Sequence, residues 1–379
     1  MKKILILGGS HRDIPLIKAA QKLEYFVITL GVLESYLGHQ YSDKFYLVDF
    51  NNLVAVEKIY YDENVDFLLP GCGEQSYLNT VKLSHKLNVG NFDTLEVAKL
   101  VHNKWKFKEF CLTNNISTPN GFYYGEIKKC LNFPLVVKPT DLSGGRGVEI
   151  VYNEIELENA IEITKQHSNE IFLEEFIDGE LIAYSLIFRN QKISYAFCGA
   201  DISYLNEYLI TTAYPIKIKD IIEEKLKNNL EILAQKLNLV DGMFHAQLII
   251  KNDIPYLIDV TRRIAGDLYP DLIERCNGIE YSKAVVESYT TGNITQNLLA
   301  TQEQFIIRHV VMPSQNGTYK ELFISEKIKK SIIYRFNLLN EGEDVEDFLH
   351  TQVTIVFIKG REFLKDLNSL IYPIIKSLI

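Results

Sequence analysis

The sequence predicts an α/β protein that begins with a parallel sheet and continues into α+β lobes. Three observations lead to this prediction. Apolar runs alternate with amphipathic segments over the first 90 residues, glycine-rich turns follow two of these runs, and closely spaced strands occupy residues 182–214. Strands that alternate with helices indicate βαβ units and a parallel sheet.

The N-terminal elements are predicted from short apolar runs that end at glycine or polar residues. In chain order they are strand Ile4–Leu7, helix Ile14–Leu23, strand Phe26–Leu30, strand Phe45–Asp49, helix Leu53–Glu63 and strand Phe67–Leu69. Ligand-binding loops lie at the carboxyl ends of parallel strands. We therefore expect Gly8–Arg12 and Gly71–Gln75 on the rim of an active site.

The remaining elements alternate between helical periodicity and apolar strands. In order they are helix 94–113, strands Phe133–Lys138 and Val148–Tyr152, helix Ile155–Gln166, strand Ile171–Phe176, the strands of 182–214, helix Asp220–Leu237, strands Gly242–Ile250 and Pro255–Val260, and helix Ile279–Tyr289. The tail from residue 305 is predicted to hold short strands, among them Val353–Ile358, and a final helix.

Composition and charge narrow the class of protein. The 379-residue chain carries a formal net charge of -9, which disfavours nucleic acid as a partner because phosphate backbones are held mainly by Lys and Arg. The five cysteines form no CxxC pair and no zinc-binding pattern, as is usual in a reducing compartment. No apolar run reaches the roughly 18 residues of a membrane span. We expect a soluble cytoplasmic protein without membrane or nucleic-acid partners.

A lysine at the end of an apolar strand and a glycine-rich loop form the strongest local motif. The segment runs from Phe133 through Lys138 to Gly147, with Ser143, Gly144 and Gly145 in the loop. A lysine there needs an anion or a solvent opening, and glycines let backbone N–H groups approach phosphate oxygens. The alternative is a snorkelling lysine beside an ordinary hairpin turn. No Gly-Lys-Ser/Thr closes the loop, which excludes a Walker A motif.

Two further segments carry clustered polar residues at strand ends. Strand Ile171–Phe176 delivers Glu174 and Glu175, which could bind an adenine amino group and a ribose or could simply be solvated. In the predicted hairpin that follows, His245 and Gln247 share one face of one strand, as do Asp259 and Thr261 of the other. Mg²⁺ binds to such oxygen-rich sets together with substrate phosphates, although strand-end acids and arginines commonly just pair.

These three segments, in this order and spacing, resemble the ATP-grasp family, in the branch with carbamoyl-phosphate synthase, biotin carboxylase and the L-amino-acid ligases. The resemblance implies a Rossmann-like pre-ATP-grasp domain over 1–93 and an ATP-grasp module over 94–300, with a small lobe at about 116–180. It also implies a C-terminal biotin-carboxylase-like or lid domain over 301–379. Enzymes of this family are often dimers, and a homodimer is left open.

The resemblance also assigns roles to single residues. The residues that it places around ATP are Lys104 and Lys138 at the phosphates, Ser143, Gly144, Gly145 and Gly147 in the flap, Glu174, Glu175 and Ile177 at the adenine, and Glu180 at the ribose. Gln247, Asp259 and Thr261 fall at the magnesium positions, and Arg263 matches the catalytic arginine. Asp259 stands where the family usually has glutamate and Thr261 where it usually has asparagine, which puts full magnesium affinity in question.

The resemblance implies an ATP-dependent ligase that joins a carboxylate to an amine or a thiol through an acyl phosphate, with ATP and Mg²⁺. Glu74 and the loop Gly8–Arg12 are candidate substrate contacts, although a plain surface role explains them equally well. One alternative is a sensor that binds ATP without ligating, which the departures at Asp259 and Thr261 would explain. A nicotinamide enzyme is disfavoured, because the N-terminal loop lacks GxGxxG and no acidic residue ends the second strand.

Overall fold

The N-terminal unit is a four-stranded parallel sheet flanked by helices. The computed structural model describes residues 1–126, 132–140, 147–166, 168 and 170–377. The first elements are β1 (Lys3–Leu7), α1 (Ile14–Lys22), β2 (Phe26–Gly31), β3 (Lys44–Leu47), α2 (Leu53–Glu63), β4 (Phe67–Pro70) and α3 (Glu74–Leu87). The strand order is β3-β2-β1-β4, and all pairs are parallel. The predicted parallel sheet is confirmed.

Two differences from the predicted helices concern α3 and the segment that follows it. Sequence reasoning did not predict α3, because its buried stripe includes Ser76, Asn79 and Thr80, which hide the apolar periodicity. The single helix predicted over 94–113 is two helices, α4 (Leu95–His102) and α5 (Lys104–Thr113). Asn103 between them is extended and its side chain accepts from the Lys106 N–H, as N-cap residues do.

The small lobe that follows is an antiparallel sheet covered by one helix. Its elements are β5 (Gly121–Tyr123), β6 (Leu135–Pro139), β7 (Glu149–Val151), α6 (Glu154–Lys165) and β8 (Ile171–Glu175). The strand order is β5-β8-β6-β7. Apolar residues of α6 pack on the sheet and bury Val137 and Leu173 completely. Because β8 lies between β5 and β6 and is antiparallel to both, the carboxyl ends of β5 and β6 and the amino end of β8 lie at the same edge of the lobe.

Long antiparallel strands and three helices make up the large lobe. The elements are β9 (Glu180–Arg189), β10 (Lys192–Ser203), β11 (Ile210–Pro215), α7 (Asp220–Lys236), β12 (Gly242–Lys251), β13 (Ile254–Thr261), α8 (Tyr269–Asn277) and α9 (Tyr281–Thr290). Alternate side chains of β9 face opposite layers: Tyr184 and Leu186 pack with α7, whereas Ala183 and Ile187 pack with α8 and α9. The predicted meander and hairpin are confirmed.

The tail adds strands to the same sheet. Its elements are β14 (Ile306–Val311), β15 (Gly317–Ile324), α10 (Glu326–Lys329), β16 (Ile332–Asn337), β17 (Asp344–Val345), β18 (Thr354–Lys359), α11 (Leu367–Leu370) and β19 (Ile371–Lys376). The central sheet has the order β13-β12-β9-β10-β11-β14-β18-β16, and β17-β15-β19 form a separate sheet. The boundaries predicted at residues 93 and 300 stay predictions.

The predicted final helix is wrong for most of its length. The segment has one 3-10 turn at Arg361–Phe363 and one α-helical turn at Leu367–Leu370, and Ile371–Lys376 pairs with β15 as a strand. Pro373 explains the difference, because proline lacks the N–H that a helix interior needs and is tolerated on an edge strand. No helix within the described parts of the chain is long and apolar enough to cross a membrane.

Candidate active site

Two lysines and one glutamate form a buried charged cluster in the small lobe. Lys138, near the end of β6, pairs with one carboxylate oxygen of Glu174, and Lys108 of α5 lies 2.8 Å from the other. The Lys108 ammonium also donates to Thr118 Oγ1 at 3.1 Å and to the Pro119 carbonyl at 2.8 Å. Three acceptors therefore surround Lys108, which anchors it.

The cluster carries more positive than negative charge. Lys108 and Glu174 are each 2% exposed, and Lys138 is 8% exposed. Burial lowers the pKa of Lys108, and the charge of Glu174 only partly opposes this effect. Burial alone would raise the pKa of Glu174, but the two nearby ammonium groups outweigh burial and lower it. Two ammonium groups sharing one carboxylate leave an excess positive charge, which favours an anion beside Lys138.

The other predicted phosphate lysine, Lys104, lies at the start of α5, next to the break at Asn103. It is close enough to His102 to affect that ring electrostatically. Burial, followed by the charges of Arg263, Arg262 and Lys104, lowers the pKa of His102 to about 3. Lys104 of α5 and Arg263, which follows β13, therefore lie around the same buried histidine.

The predicted adenine and ribose residues lie at the end of β8 and just after it. Glu175 donates its N–H to the Asn120 carbonyl at 2.9 Å, and its carboxylate accepts from the Asn120 side chain at 2.7 Å. Ile177 is buried, and Glu180 is exposed at the start of β9. The side chain of Glu174 is engaged by Lys108 and Lys138, so the idea that this carboxylate binds the adenine amino group is not supported by its contacts.

Only one residue of the predicted flap can be described. Gly147 has φ of +71°, a conformation that favours glycine, and lies just before β7. Ser143, Gly144 and Gly145 fall outside the described residues. Their assignment to the flap stays a prediction.

The predicted magnesium residues lie in register on neighbouring strands. Asp259 of β13 is directly opposite Gln247 of β12, and Thr261 is opposite His245. Asp259 Oδ1 accepts from the N–H of Val260 at 3.0 Å. Thr261 Oγ1 accepts from the N–H of the predicted catalytic arginine, Arg263, at 3.2 Å. The structure thus brings one carboxylate, one amide and one hydroxyl to the same strand pair.

The two neighbouring arginines have different surroundings. Arg262 is buried and pairs with Asp93 at 2.8 Å, while its remaining nitrogens donate to the carbonyls of Met243 and Val240. Arg263 donates to the Ile264 carbonyl at 3.0 Å, and its Nε has no hydrogen-bond partner in the described part of the chain. Arg262 therefore serves the packing of the fold, and Arg263 keeps a donor for a ligand.

Two buried charged residues were not predicted from the sequence, Asp201 of β10 and Arg308 of β14. They lie on the sheet face that also carries Gln247 and Asp259. Burial raises the pKa of Asp201 to about 6, against the opposing effects of Arg308 and of a hydrogen bond from Gln247. Arg308 is 2% exposed and donates to the carbonyl of Asp267 at 3.1 Å. A charged residue inside the apolar run Ile306–Val311 was the available signal for Arg308.

Asp267 joins the large lobe to the N-terminal loop. Its carboxylate accepts from Arg12 at 3.0 Å and Gln352 at 3.1 Å, and lies 3.3 Å from His11 Nε2. Burial would raise the pKa of Asp267, but the hydrogen bond from His11 and the charges of Arg12 and Arg308 hold it well below its usual range. The predicted rim loop is thereby tied to the segment that follows Arg263.

A cavity of about 570 Å³ opens beside Asp267 at the carboxyl ends of β1 and β4. Its lining includes Gly8–Asp13, Gly71–Gly73, Tyr36, His350 and Gln352. Glu74 begins α3 at the adjoining loop, and its carboxylate lies 3.8 Å from His102 Nδ1. Both loops expected on the rim thus meet at one cavity.

Comparisons with known proteins agree with this geometry. Residues 101–267 match the family described as the ATP-grasp domain. The chain is 26% identical over 265 residues to formate-dependent phosphoribosylglycinamide formyltransferase from Prochlorococcus marinus (strain NATL1A). The aligned region covers 66% of this chain and 67% of that protein.

Two crystal structures share the fold along nearly the whole chain. The L-amino acid ligase from Bacillus licheniformis superposes with a TM-score of 0.84 at 17% identity, covering 100% of this chain and 99% of that one. The phosphoribosylglycinamide synthetase from Anaerococcus prevotii superposes with a TM-score of 0.78 at 22% identity, covering 99% and 100%. The comparisons lend no support to the sensor alternative. The chain carries an ATP-grasp domain, and both the predicted ATP-grasp fold and the predicted class of enzyme, an ATP-dependent ligase, are confirmed.

Proposed function

We propose that this enzyme uses ATP to convert a small carboxylic acid into an acyl phosphate, which an amine or a thiol then attacks. The observation that carries the proposal is the buried cluster of Lys108, Glu174 and Lys138. Its excess positive charge favours an anion at the end of β6, where the sequence predicts the triphosphate. Lys104, Glu175, Ile177 and the ribose candidate Glu180 complete the proposed ATP site, with the flap of Ser143, Gly144, Gly145 and Gly147 above the phosphates.

The proposed first step is phosphoryl transfer to the acid. An oxygen of the substrate carboxylate attacks the γ-phosphorus, the bond from that phosphorus to the β–γ bridging oxygen breaks, and ADP leaves. Such transition states need positioning and positive charge more than covalent help. Lys138 and Arg263 supply that charge, and Arg308 offers a second planar donor to the carboxylate.

In the second step the nucleophile attacks the acyl carbon. The nitrogen or sulfur lone pair forms the new bond, the carbon–oxygen bond to phosphate breaks, and an amine loses a proton afterwards. The cavity lined by Gly8–Asp13 and Gly71–Gly73 adjoins Asp267 and has room for this second substrate. Water must be kept from the acyl phosphate, because hydrolysis would waste it.

The residues on β12 and β13 fit Mg²⁺ in the mode in which the ion is bound by one or two protein oxygens and by phosphates. Asp259 supplies a carboxylate, Gln247 an amide oxygen and Thr261 a hydroxyl. No group of three or more His, Cys, Asp or Glu that could hold a metal occurs among the described residues. When bound, Mg²⁺ would neutralise phosphate charge.

An ADP-release screen tests the proposal. The wild type is incubated with MgATP and a panel of amino acids, hydroxy acids, formate and bicarbonate, alone and with hydroxylamine, which traps acyl phosphates as hydroxamates. We expect ADP and hydroxamate with at least one acid, and a loss of at least 100-fold in Lys138→Ala. Lys99→Ala, an exposed lysine on α4, is the matched control and should keep full activity. ADP release that Lys138→Ala leaves unchanged would contradict the proposal.

A further inference from the structure

Three buried polar side chains, Asp201, Tyr269 and Arg308, lie near one another in the large lobe, and each has an atom without a hydrogen-bond partner among the described residues. Asp201 is 8% exposed, Tyr269 4% and Arg308 2%. Asp201 Oδ1, the Tyr269 hydroxyl and Arg308 Nε each have no hydrogen-bond partner in the parts of the chain that the structure describes. Buried polar atoms are nearly always paired, because leaving one unpaired costs roughly 1–3 kcal/mol. A ligand is therefore the expected partner.

The strand register brings these side chains together. Asp201 lies opposite Ala213, and Ala213 lies opposite Arg308, so the acid and the arginine project from one face with only a methyl group between them. The Arg308 guanidinium lies 5.8 Å from the centre of the Tyr269 ring. The cluster therefore presents a carboxylate acceptor, a guanidinium donor and a phenol within one small area.

A row of small residues links this cluster to the predicted magnesium pair. Asp259, Gln247, Ala183 and Gly199 face one another in sequence across β13, β12, β9 and β10. Beyond Gln247 the row therefore carries nothing larger than a methyl group. A Cβ at Gly199 would lie 2.6 Å from the Tyr269 hydroxyl, so glycine is required for the tyrosine to sit there. The row's own side chains therefore leave space between the magnesium pair and Asp201, and the Tyr269 hydroxyl enters this space over Gly199.

The chemistry of the three unpaired atoms defines the ligand. A buried carboxylate oxygen binds best to a cationic N–H donor, and a guanidinium binds best to a carboxylate. Gln247 lies near Asp201 on the same face of the sheet, close enough to lower the pKa of that carboxyl. Resting on the proposed function, we propose that Asp201, assisted by Tyr269, binds the primary ammonium group of the acid that is activated. The substrate class is thus an amino acid whose ammonium and carboxylate are close together, as in an α-amino acid.

The test measures binding, which does not require turnover. Each of the twenty standard L-amino acids is titrated by calorimetry into the wild type saturated with Mg²⁺ and a nonhydrolysable ATP analogue. The tightest binder is then compared with its deamino and its 2-hydroxy analogue. We expect the wild type to bind both analogues about 10- to 100-fold more weakly, the range of one charge-assisted hydrogen bond. In Asp201→Asn this preference should vanish while the affinity for the ATP analogue is unchanged.

Two further variants separate recognition from folding. Tyr269→Phe should weaken the amino acid about 3- to 10-fold, the range of one neutral hydrogen bond, and keep the order of preference. Asp271→Asn, the same change two residues beyond Tyr269 on α8, should leave the preference intact.

The proposal is overturned if no amino acid binds, if the 2-hydroxy analogue binds as tightly, or if Asp201→Asn weakens amino acid and deamino analogue equally. Amino-acid binding without ADP release would instead contradict the proposed ligase mechanism and leave this site standing.

Discussion

Lys108→Met should weaken ATP binding without changing adenosine binding. Lys108 is out of reach of any ligand, because Thr118, Pro119 and Glu174 take up its ammonium group. Its influence on ATP is therefore electrostatic. With Lys108 present the cluster carries one excess positive charge, and methionine, which has a similar length, leaves Lys138 and Glu174 as a neutral pair.

The magnitude follows from Coulomb's law. A phosphate beside Lys138 would lie roughly 8 Å from the Lys108 ammonium, and a unit charge at that distance contributes about 2 kcal/mol at an effective dielectric constant of 20. That energy corresponds to about a 30-fold higher Kd for ATP. Glu174→Gln removes the opposing charge, so the double variant restores the original excess of one and should bind ATP within about threefold of the wild type.

The binding assay can use the protein's own fluorescence. Trp105 is the single tryptophan of the chain and lies 5.8 Å, ring to ring, from Phe172 in the small lobe. Titrations with ATP and with adenosine at constant ionic strength give the two Kd values for each variant, and urea unfolding checks that each variant is folded. The reasoning is refuted if the double variant binds ATP as weakly as Lys108→Met, or if adenosine binding falls in parallel.

Three other variants test stability and the metal site. Asp93→Asn should lower the free energy of unfolding by about 3–5 kcal/mol because it leaves the Arg262 guanidinium buried without its partner, whereas Lys192→Gln in an exposed pair should cost at most about 1 kcal/mol in the same urea titration. His102→Phe should make the free energy of unfolding less sensitive to acid. In the wild type the pKa of His102 is about 3 in the folded state and 6.5 in the unfolded state, so the unfolded chain takes up the proton first. The wild type therefore loses stability as the pH falls from 6.5 toward 3, by up to about 1.4 kcal/mol per pH unit. Equal losses between pH 7 and pH 5.5 in variant and wild type would contradict this. Asp259→Asn should raise the Mg²⁺ concentration for half-maximal ADP release at least tenfold, and an unchanged requirement would exclude Asp259 as a ligand.

Much of the fold could be predicted from local patterns. The parallel strands of the first unit and the hairpin that carries Gln247 and Asp259 were each marked by an apolar run with a turn signal beside it. The secondary structure was predicted wrongly or not at all where the buried residues of an element do not show the expected apolar pattern. Helix α3 buries serine, asparagine and threonine, so its inward stripe does not look apolar. Strand β19 contains a proline that the interior of a helix could not accommodate.

The amino-acid sequence by itself predicted the ATP-grasp fold, Lys138 near the end of β6, Gln247 and Asp259 on neighbouring strands, and Arg263 just after the second of those strands. Motifs of this kind are local, since they depend on spacing along one segment. Only the tertiary structure decided which charges share a partner. Lys108 and Glu174 are 66 positions apart along the chain, and Asp201 lies near Arg308 only because β11 aligns the strands that carry them. Such pairings depend on strand order and register, which no single segment encodes.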